Sequence, residues 1–171
     1  MHLRLSALLA AALACSAGQP DPATISRADS SAMTTDSAWQ GLFDGTSTDA
    51  WRGYQMAGFP AGWRIEDGAL VRTAEAGDII TKAQYGDFEL ELEWMVPPGG
   101  NSGIMYRVTE ADSSTYRTGP EYQVLDDAAH ADGANPLTSA GSAYGFYAAP
   151  KGLVKPAGEW NAAFRSFASA A

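Results

Sequence analysis

The sequence is poor in the residues that several common kinds of site require. It has one cysteine, Cys15, and two histidines among 171 residues, and its 11 basic residues are outnumbered by 20 acidic ones. With Cys15 assigned to the N-terminal signal described below, no thiol remains for a disulfide, a thiolate metal site or a cysteine nucleophile. Without a basic stripe the surface repels phosphate backbones, so we expect no nucleic-acid partner. Any chemistry must therefore use carboxylates, histidine, arginine, tyrosine and amides.

Sustained helical periodicity is also missing. Beyond residue 38 no segment keeps a helical period for more than two turns, whereas short alternating runs recur at the spacing of a β-sandwich. Asp67-Gly68 predicts a tight hairpin between strands at 63–65 and 69–72. Residues 88–94 alternate between apolar and acidic side chains, which is typical of a strand with one buried face. The sequence therefore predicts an all-β, antiparallel fold.

The N-terminus reads as an export signal followed by a tether. Residues 1–14 hold an arginine and then an apolar run that is too short to span a bilayer as a mature helix. Cys15 follows directly and resembles the lipidation site of a bacterial lipoprotein, with plain signal cleavage as the alternative. Residues 15–38 are rich in Ser, Thr, Ala, Asp and Pro, which predicts a disordered tether. We therefore expect a periplasmic or outer-membrane lipoprotein of the bacterial envelope, held at the membrane by its lipid anchor only.

The candidate chemistry lies in two alternating runs, 102–109 and 120–126, which predict a strand pair around a polar loop. Glu121 and Gln123 share one face of the second strand, and Met105 and Arg107 share a face of the first. One face of the pair is therefore expected to carry an acid, an amide and a guanidinium group. The solvated outer face of an antiparallel sheet would look the same.

Four motifs carry a resemblance to a known family. They are NSGIMYR from Asn101, GPEYQVLDD around Glu121, AGSAYGFYAAP at 140–150 and KPAGEWN ending at Asn161. In this order they resemble the 3-keto-disaccharide hydrolase domain family over residues 39–161. The resemblance implies a two-sheet, concanavalin A-like jelly roll that acts on oxidised carbohydrate, and the five Trp and seven Tyr of the chain are themselves suited to sugar recognition. A noncatalytic, lectin-like surface module and a purely structural surface lipoprotein are the alternatives.

A conventional glycosidase mechanism fits these residues poorly. Glu121 and Asp126 would face opposite sides of a regular strand, whereas direct displacement needs two facing carboxylates. A 3-keto sugar offers another route, because the ketone acidifies the proton on C2 and the glycosidic oxygen on C1 is a β-leaving group. Glu121 is then the candidate base and Arg107 the partner of the enolate-like oxygen, with His130 as a further acid–base group. The candidate substrate-binding residues are Asn101, Gln123, Asp126 and Tyr144.

No cofactor is required by this scheme, but a divalent metal ion is an open alternative. The neighbouring 2-hydroxyl and 3-keto oxygens of such a sugar can chelate a hard cation. Glu121, Asp126 and His130 are the candidate ligands, although no tight ligand spacing requires one.

The last ten residues, 162–171, depart from the family pattern. Members of the family continue through further strands after the position of Asn161, whereas 162–171 shows no turn signal and no alternation. We therefore expect an aberrant tail without a strand and a sandwich that lacks its last strands. On this reading the activity of the chain would be weak or absent.

Overall fold

The computed structural model describes residues 2–4 and 39–167, and this part of the chain is almost entirely strand and loop. Its only helical segments are two short 3-10 helices, η1 and η2, and neither has the length and apolarity needed to cross a membrane. The elements are β1 (His2–Arg4), β2 (Trp51–Gly53), β3 (Trp63–Glu66), β4 (Ala69–Arg72), β5 (Ile79–Thr81), β6 (Phe88–Met95), β7 (Asn101–Met105), η1 (Thr115–Arg117), β8 (Glu121–Leu125), η2 (Ala131–Ala134) and β9 (Asn161–Phe167).

The strands form three hydrogen-bonded sheets, and every pairing is antiparallel. The largest sheet has the order β3-β4-β1-β6-β9, while β2 pairs with β5 and β7 pairs with β8. The all-β, antiparallel part of the prediction is confirmed.

The β3–β4 hairpin forms where Asp67-Gly68 predicted it. Both central residues have positive φ, 49° for Asp67 and 72° for Gly68, which is the conformation of a type I′ turn. The turn brings Trp63 opposite Arg72 and sets the register of the two strands. Glycine is favoured at its position because an L side chain is strained there.

A single apolar cluster joins the large sheet to β8. Leu70 of β4 and Trp94 of β6 are buried, as are Val124 and Leu125 of β8, and all four belong to the same cluster. At about 25 cal/mol per Å² of apolar surface removed from water, this burial is the main source of stability. The cluster packs against both faces of β8 and thereby fixes the strand that carries Glu121.

Strand β7 is shorter than the predicted run of 102–109. It ends at Met105, and Arg107 has a φ of 55°, in the left-handed region that a non-glycine residue rarely adopts. This turn of the backbone ends the alternation on which the prediction relied. Arg107 therefore does not lie on the strand face where the sequence placed it.

The expectation that the tail contains no strand is wrong. Strand β9 (Asn161–Phe167) runs from the last motif into the tail and pairs with β6 from Trp94 to Phe88. Backbone hydrogen bonding to a neighbour needs no alternation of side chains, and so a search for alternation missed this strand.

Most of the predicted N-terminal signal lies outside the described residues, as does the whole of the predicted tether 15–38 with Cys15. The exception is β1 (His2–Arg4), which lies between β4 and β6 and pairs with both. Periodicity did not predict this strand, because three residues are too few to show an alternation.

Candidate functional site

The β7–β8 pair presents the candidate site on one face. Met105 lies opposite Glu121, Gly103 opposite Gln123, and Asn101 opposite Leu125. Directly opposed residues of an antiparallel pair point to the same side. The face thus carries Glu121 at one end and Asn101 at the other, and Gly103 supplies no side chain between them.

Glu121 is the most perturbed carboxyl group of this face. Burial of the side chain raises the pKa of Glu121 from its ordinary value of 4.5 to about 7, and the negative charges of Asp78 and Asp132 add to the effect. Both causes disfavour the carboxylate over the neutral acid. A carboxyl group with a pKa near neutrality can accept a proton and later release it, which is what a general base needs.

His130 and Asn101 meet beyond Gly103. The amide nitrogen of Asn101 lies 3.4 Å from Nε2 of His130, and Nδ1 of His130 accepts a hydrogen bond from the Asp132 backbone N–H at 3.2 Å. A neutral imidazole has one donor and one acceptor, so acceptance at Nδ1 puts the ring proton on Nε2. The Nε2–H is then directed at the Asn101 side chain, and its natural acceptor there is the amide oxygen after rotation of that group.

The loop between β7 and β8 is fastened to the β2 and β5 side of the molecule. Nη1 and Nη2 of Arg52 donate to the two carboxylate oxygens of Glu110 at 2.7 and 2.8 Å. The hydrogen bond from Arg52, followed by that from the Gln55 backbone N–H, lowers the pKa of Glu110 to about 2. In addition, the Thr115 hydroxyl donates to the Asp78 carboxylate at 2.5 Å. These contacts hold Asp78 close to the face that carries Glu121.

Two of the predicted substrate-binding residues, Asp126 and Gln123, make hydrogen bonds within the protein. Asp126 is buried, and its carboxylate accepts hydrogen bonds from the backbone N–H groups of Gly99 at 2.8 Å and Ala128 at 3.1 Å. Gln123 is buried, and its side-chain oxygen accepts from the Val124 N–H at 3.1 Å. In this arrangement both side chains support loops and strand β8.

Arg107 lies past the end of β7, where its guanidinium group is 3.6 Å from the Asp87 carboxylate. Both side chains are about half exposed, so the pair is weak and the guanidinium group can move toward a ligand at little cost. Arg107 is thus outside the row formed by Asn101, Gly103 and Glu121.

A hairpin with exposed aromatic rings adjoins Glu121. The Tyr144 backbone N–H donates to the Glu121 carbonyl at 3.0 Å, and Ala143 bridges to both Tyr122 and Tyr147. The Phe146 and Tyr147 side chains are 71% and 76% exposed, and Tyr144 is partly exposed. Exposed aromatic faces beside a polar site are suited to packing against the apolar faces of sugar rings.

The geometry offers no cluster of ligands for the divalent metal ion that the sequence left open, within the part of the chain that the structure describes. Within residues 2–4 and 39–167, no group of three or more His, Asp, Glu or Cys side chains is arranged to hold a metal ion. Among the candidate ligands, Asp126 already accepts two backbone hydrogen bonds, which a bound cation would have to replace.

Two acidic residues of the site were not singled out from the sequence. Asp78 directly precedes β5, and Asp132 lies in η2 two residues after His130. Asp132 could have been found as a neighbour of the predicted His130, but Asp78 is distant in sequence and only the fold brings it near Glu121. A cleft of about 330 Å³ between β4 and β7 reaches Asn101 and is lined by Arg72, although Glu121 is not among its walls.

Comparison with known proteins agrees with the motifs. The 3-keto-alpha-glucoside-1,2-lyase-like domain family matches residues 38–164. A 3-keto-disaccharide hydrolase of Bacteroides thetaiotaomicron is 37% identical over 144 residues, which cover 71% of this chain and 50% of that protein. The chain therefore spans half the length of this relative.

Two crystal structures of candidate glycosyl hydrolases from Parabacteroides distasonis are similar in fold. The first has a TM-score of 0.68 at 30% sequence identity, and the match covers 75% of this chain and 63% of the chain in that crystal structure. The second has a TM-score of 0.53 at 27% sequence identity, and the match covers 68% of this chain and 62% of the chain in that crystal structure.

Proposed function

Because this chain belongs to the 3-keto-alpha-glucoside-1,2-lyase-like domain family, we propose that it cleaves 3-keto-glycosides, with 3-keto-disaccharides as the substrate class. The observation that carries the proposal is the half-buried Glu121 carboxyl group at the end of β8, whose pKa is raised to about 7. The name of the 37% identical relative supports the choice of substrate.

In the proposed reaction Glu121 removes the proton from C2 of the keto sugar. The C2–H electron pair is delocalised toward the oxygen on C3 as an enolate and then forms the C1=C2 double bond as the bond between C1 and the glycosidic oxygen breaks, and the departing oxygen takes up a proton. Addition of water across the double bond then gives net hydrolysis. Because only the carboxylate form of Glu121 can accept the C2 proton, kcat/KM should rise with pH through about 7.

The remaining groups have supporting roles in this proposal. His130 presents its Nε2–H toward Asn101, and together they can donate to the leaving oxygen or to a sugar hydroxyl. Arg107 can turn from Asp87 toward the oxygen on C3, where negative charge develops. The Tyr144 to Tyr147 hairpin offers rings against which the sugar can stack.

The finer architecture and the location of the protein are part of the same proposal. The apolar cluster between the antiparallel sheets is what we expect of a jelly-roll sandwich of the concanavalin A type. The signal-like residues 1–14 and Cys15 favour a lipid-anchored protein of the cell envelope, and removal of residues 1–14 on export would leave β4 and β6 without the strand between them.

The test is Glu121→Gln, which keeps the shape of the side chain and removes the base. Turnover of a 3-keto-disaccharide should be lost, while binding of the substrate by calorimetry is retained. Glu91→Gln on β6 makes the same chemical change outside the site and serves as the matched control. Full turnover by Glu121→Gln would show that Glu121 is not the base. Binding without turnover in the unmodified protein would favour the lectin-like alternative.

A further inference from the structure

Gly103 lies directly beneath the Glu121 side chain. A Cβ atom built on Gly103 would collide with Oε1 of Glu121 and would lie 2.7 Å from its Cδ and 2.8 Å from its Cγ. Such separations are far inside van der Waals contact, so even a methyl group at position 103 would force the Glu121 side chain to move.

The backbone of Gly103 does not itself require glycine. Gly68 and Gly99 have positive φ values of 72° and 70°, but Gly103 lies in the middle of β7 and is not in that region. Any L-amino acid could adopt its conformation. A glycine inside a strand weakens the strand and often marks a place where another group approaches closely. Here the group that approaches is the Glu121 carboxyl group.

We propose that Gly103 is a positioning residue, whose missing side chain lets Glu121 lie across β7 with its carboxyl group directed toward Asn101 and His130. The proposal rests on the proposed function, in which Glu121 is the base. It gives a role to Gly103, which lies within the NSGIMYR motif but was not among the predicted site residues.

The register of the strands explains why position 103 decides the direction of Glu121. Glu121 is opposite Met105, and Gly103 is its diagonal neighbour toward the Asn101 end of β7. A side chain at 103 would fill this diagonal and leave Glu121 to turn outward into solvent. In the present arrangement Glu121 is half buried and lies within reach of the charges of Asp78 and Asp132, and Asp132 is two residues from His130.

The experiment compares Gly103→Ala with Gly58→Ala, a glycine that has open space around its Cβ position and an ordinary φ. The titration of the Glu121 carboxyl carbon is followed by NMR with labelled glutamate and assigned with Glu121→Gln. In Gly103→Ala the pKa of Glu121 should fall from about 7 toward 4.5, because the group leaves its buried position near Asp78. The Gly58→Ala variant should titrate as the unmodified protein does.

Turnover gives the second measurement. Displacement of a catalytic group by about 1 Å can reduce the rate by about 10²-fold, and we expect a loss of this order in kcat/KM for Gly103→Ala. The acidic limb of the pH profile should move with the Glu121 titration. A purely structural role of Gly103 would lower the melting temperature without moving this limb.

Thermal melts of the double variant keep the proposal testable if Gly103→Ala alone fails to fold. In the Glu121→Ala background the collision is absent, so Gly103→Ala should be tolerated or should raise the melting temperature. Additive effects of the two substitutions on melting would overturn the proposal, as would an unchanged Glu121 titration in Gly103→Ala. If the unmodified protein cleaves no 3-keto-glycoside, the proposed function fails, but the titration and the melts still decide the role of Gly103.

Discussion

Replacing Glu121 with Gln should make the protein more stable at neutral and alkaline pH while it removes the proposed base. The pKa of Glu121 is about 7 in the folded protein against an ordinary value of 4.5, so the folded protein holds this proton more tightly than the unfolded chain does. The free energy of unfolding therefore falls as the pH rises between these two values. Above both values the ionised Glu121 side chain lowers it by a constant amount.

The magnitude follows from the same two pKa values. A difference of this size corresponds to about 3 kcal/mol at 1.36 kcal/mol for each pH unit. Because the Glu121 side chain is only about half buried, solvent screening reduces this value, and we expect a net effect of about 1–2 kcal/mol. At about 2–4 °C for each kcal/mol, the melting temperature should rise by about 2–8 °C.

The assay is urea or thermal unfolding of both proteins from pH 4.5 to 8.5. The two proteins should be about equally stable at pH 4.5, where Glu121 is protonated in the folded protein. At pH 8 the variant should be more stable to unfolding than the unmodified protein. Comparing the proteins at each pH cancels the groups that they share, and Glu91→Gln reports the effect of the replacement itself. A difference that is the same at every pH would refute the reasoning, because it would not arise from Glu121 ionisation.

Three further outcomes test other parts of the structure. Asp126→Ala should destabilise the protein by about 1–3 kcal/mol in urea unfolding, because the Gly99 and Ala128 N–H groups lose the buried carboxylate that accepts their hydrogen bonds; an unchanged midpoint would contradict this role. Glu110→Gln should weaken the attachment of the loop to Arg52, seen as faster hydrogen exchange at pH 6. Because the pKa of Glu110 is lowered to about 2, this stabilisation is complete above 4.5 and is lost as the pH falls toward 2, so variant and unmodified protein should converge there. Tyr147→Ala should raise KM with little change in kcat if its exposed ring stacks on the sugar, and an unchanged KM would exclude that contact.

Local patterns predicted the strands because the physics that forms them is local. The Asp67-Gly68 turn and the alternation of 88–94 each specify their own element, and β3, β4 and β6 form where those signals lie. The end of β7 was missed because the positive φ of Arg107 leaves no mark in the hydrophobic pattern. Strand β9 was missed because pairing with β6 depends on the partner rather than on its own sequence.

The candidate site was predictable only in part for a similar reason. Glu121 and Asn101 lie in two of the motifs and His130 was chosen for its imidazole group, and the fold brings them together at β7–β8. The charge of Asp78 and the space above Gly103 act on Glu121 through contacts between distant segments. Neither the raised pKa of Glu121 nor the direction of its side chain could be inferred without those contacts.

The measurement that tests the central claim most directly is the fate of deuterium placed at C2 of a 3-keto-disaccharide. Abstraction by Glu121 predicts that cleavage is slowed by the label and that the deuterium is released to solvent, with an enzyme-free sample as the control for spontaneous exchange. The Glu121→Gln variant should release no more deuterium than that control. Cleavage at an undiminished rate with deuterium retained at C2 of the product would contradict the account.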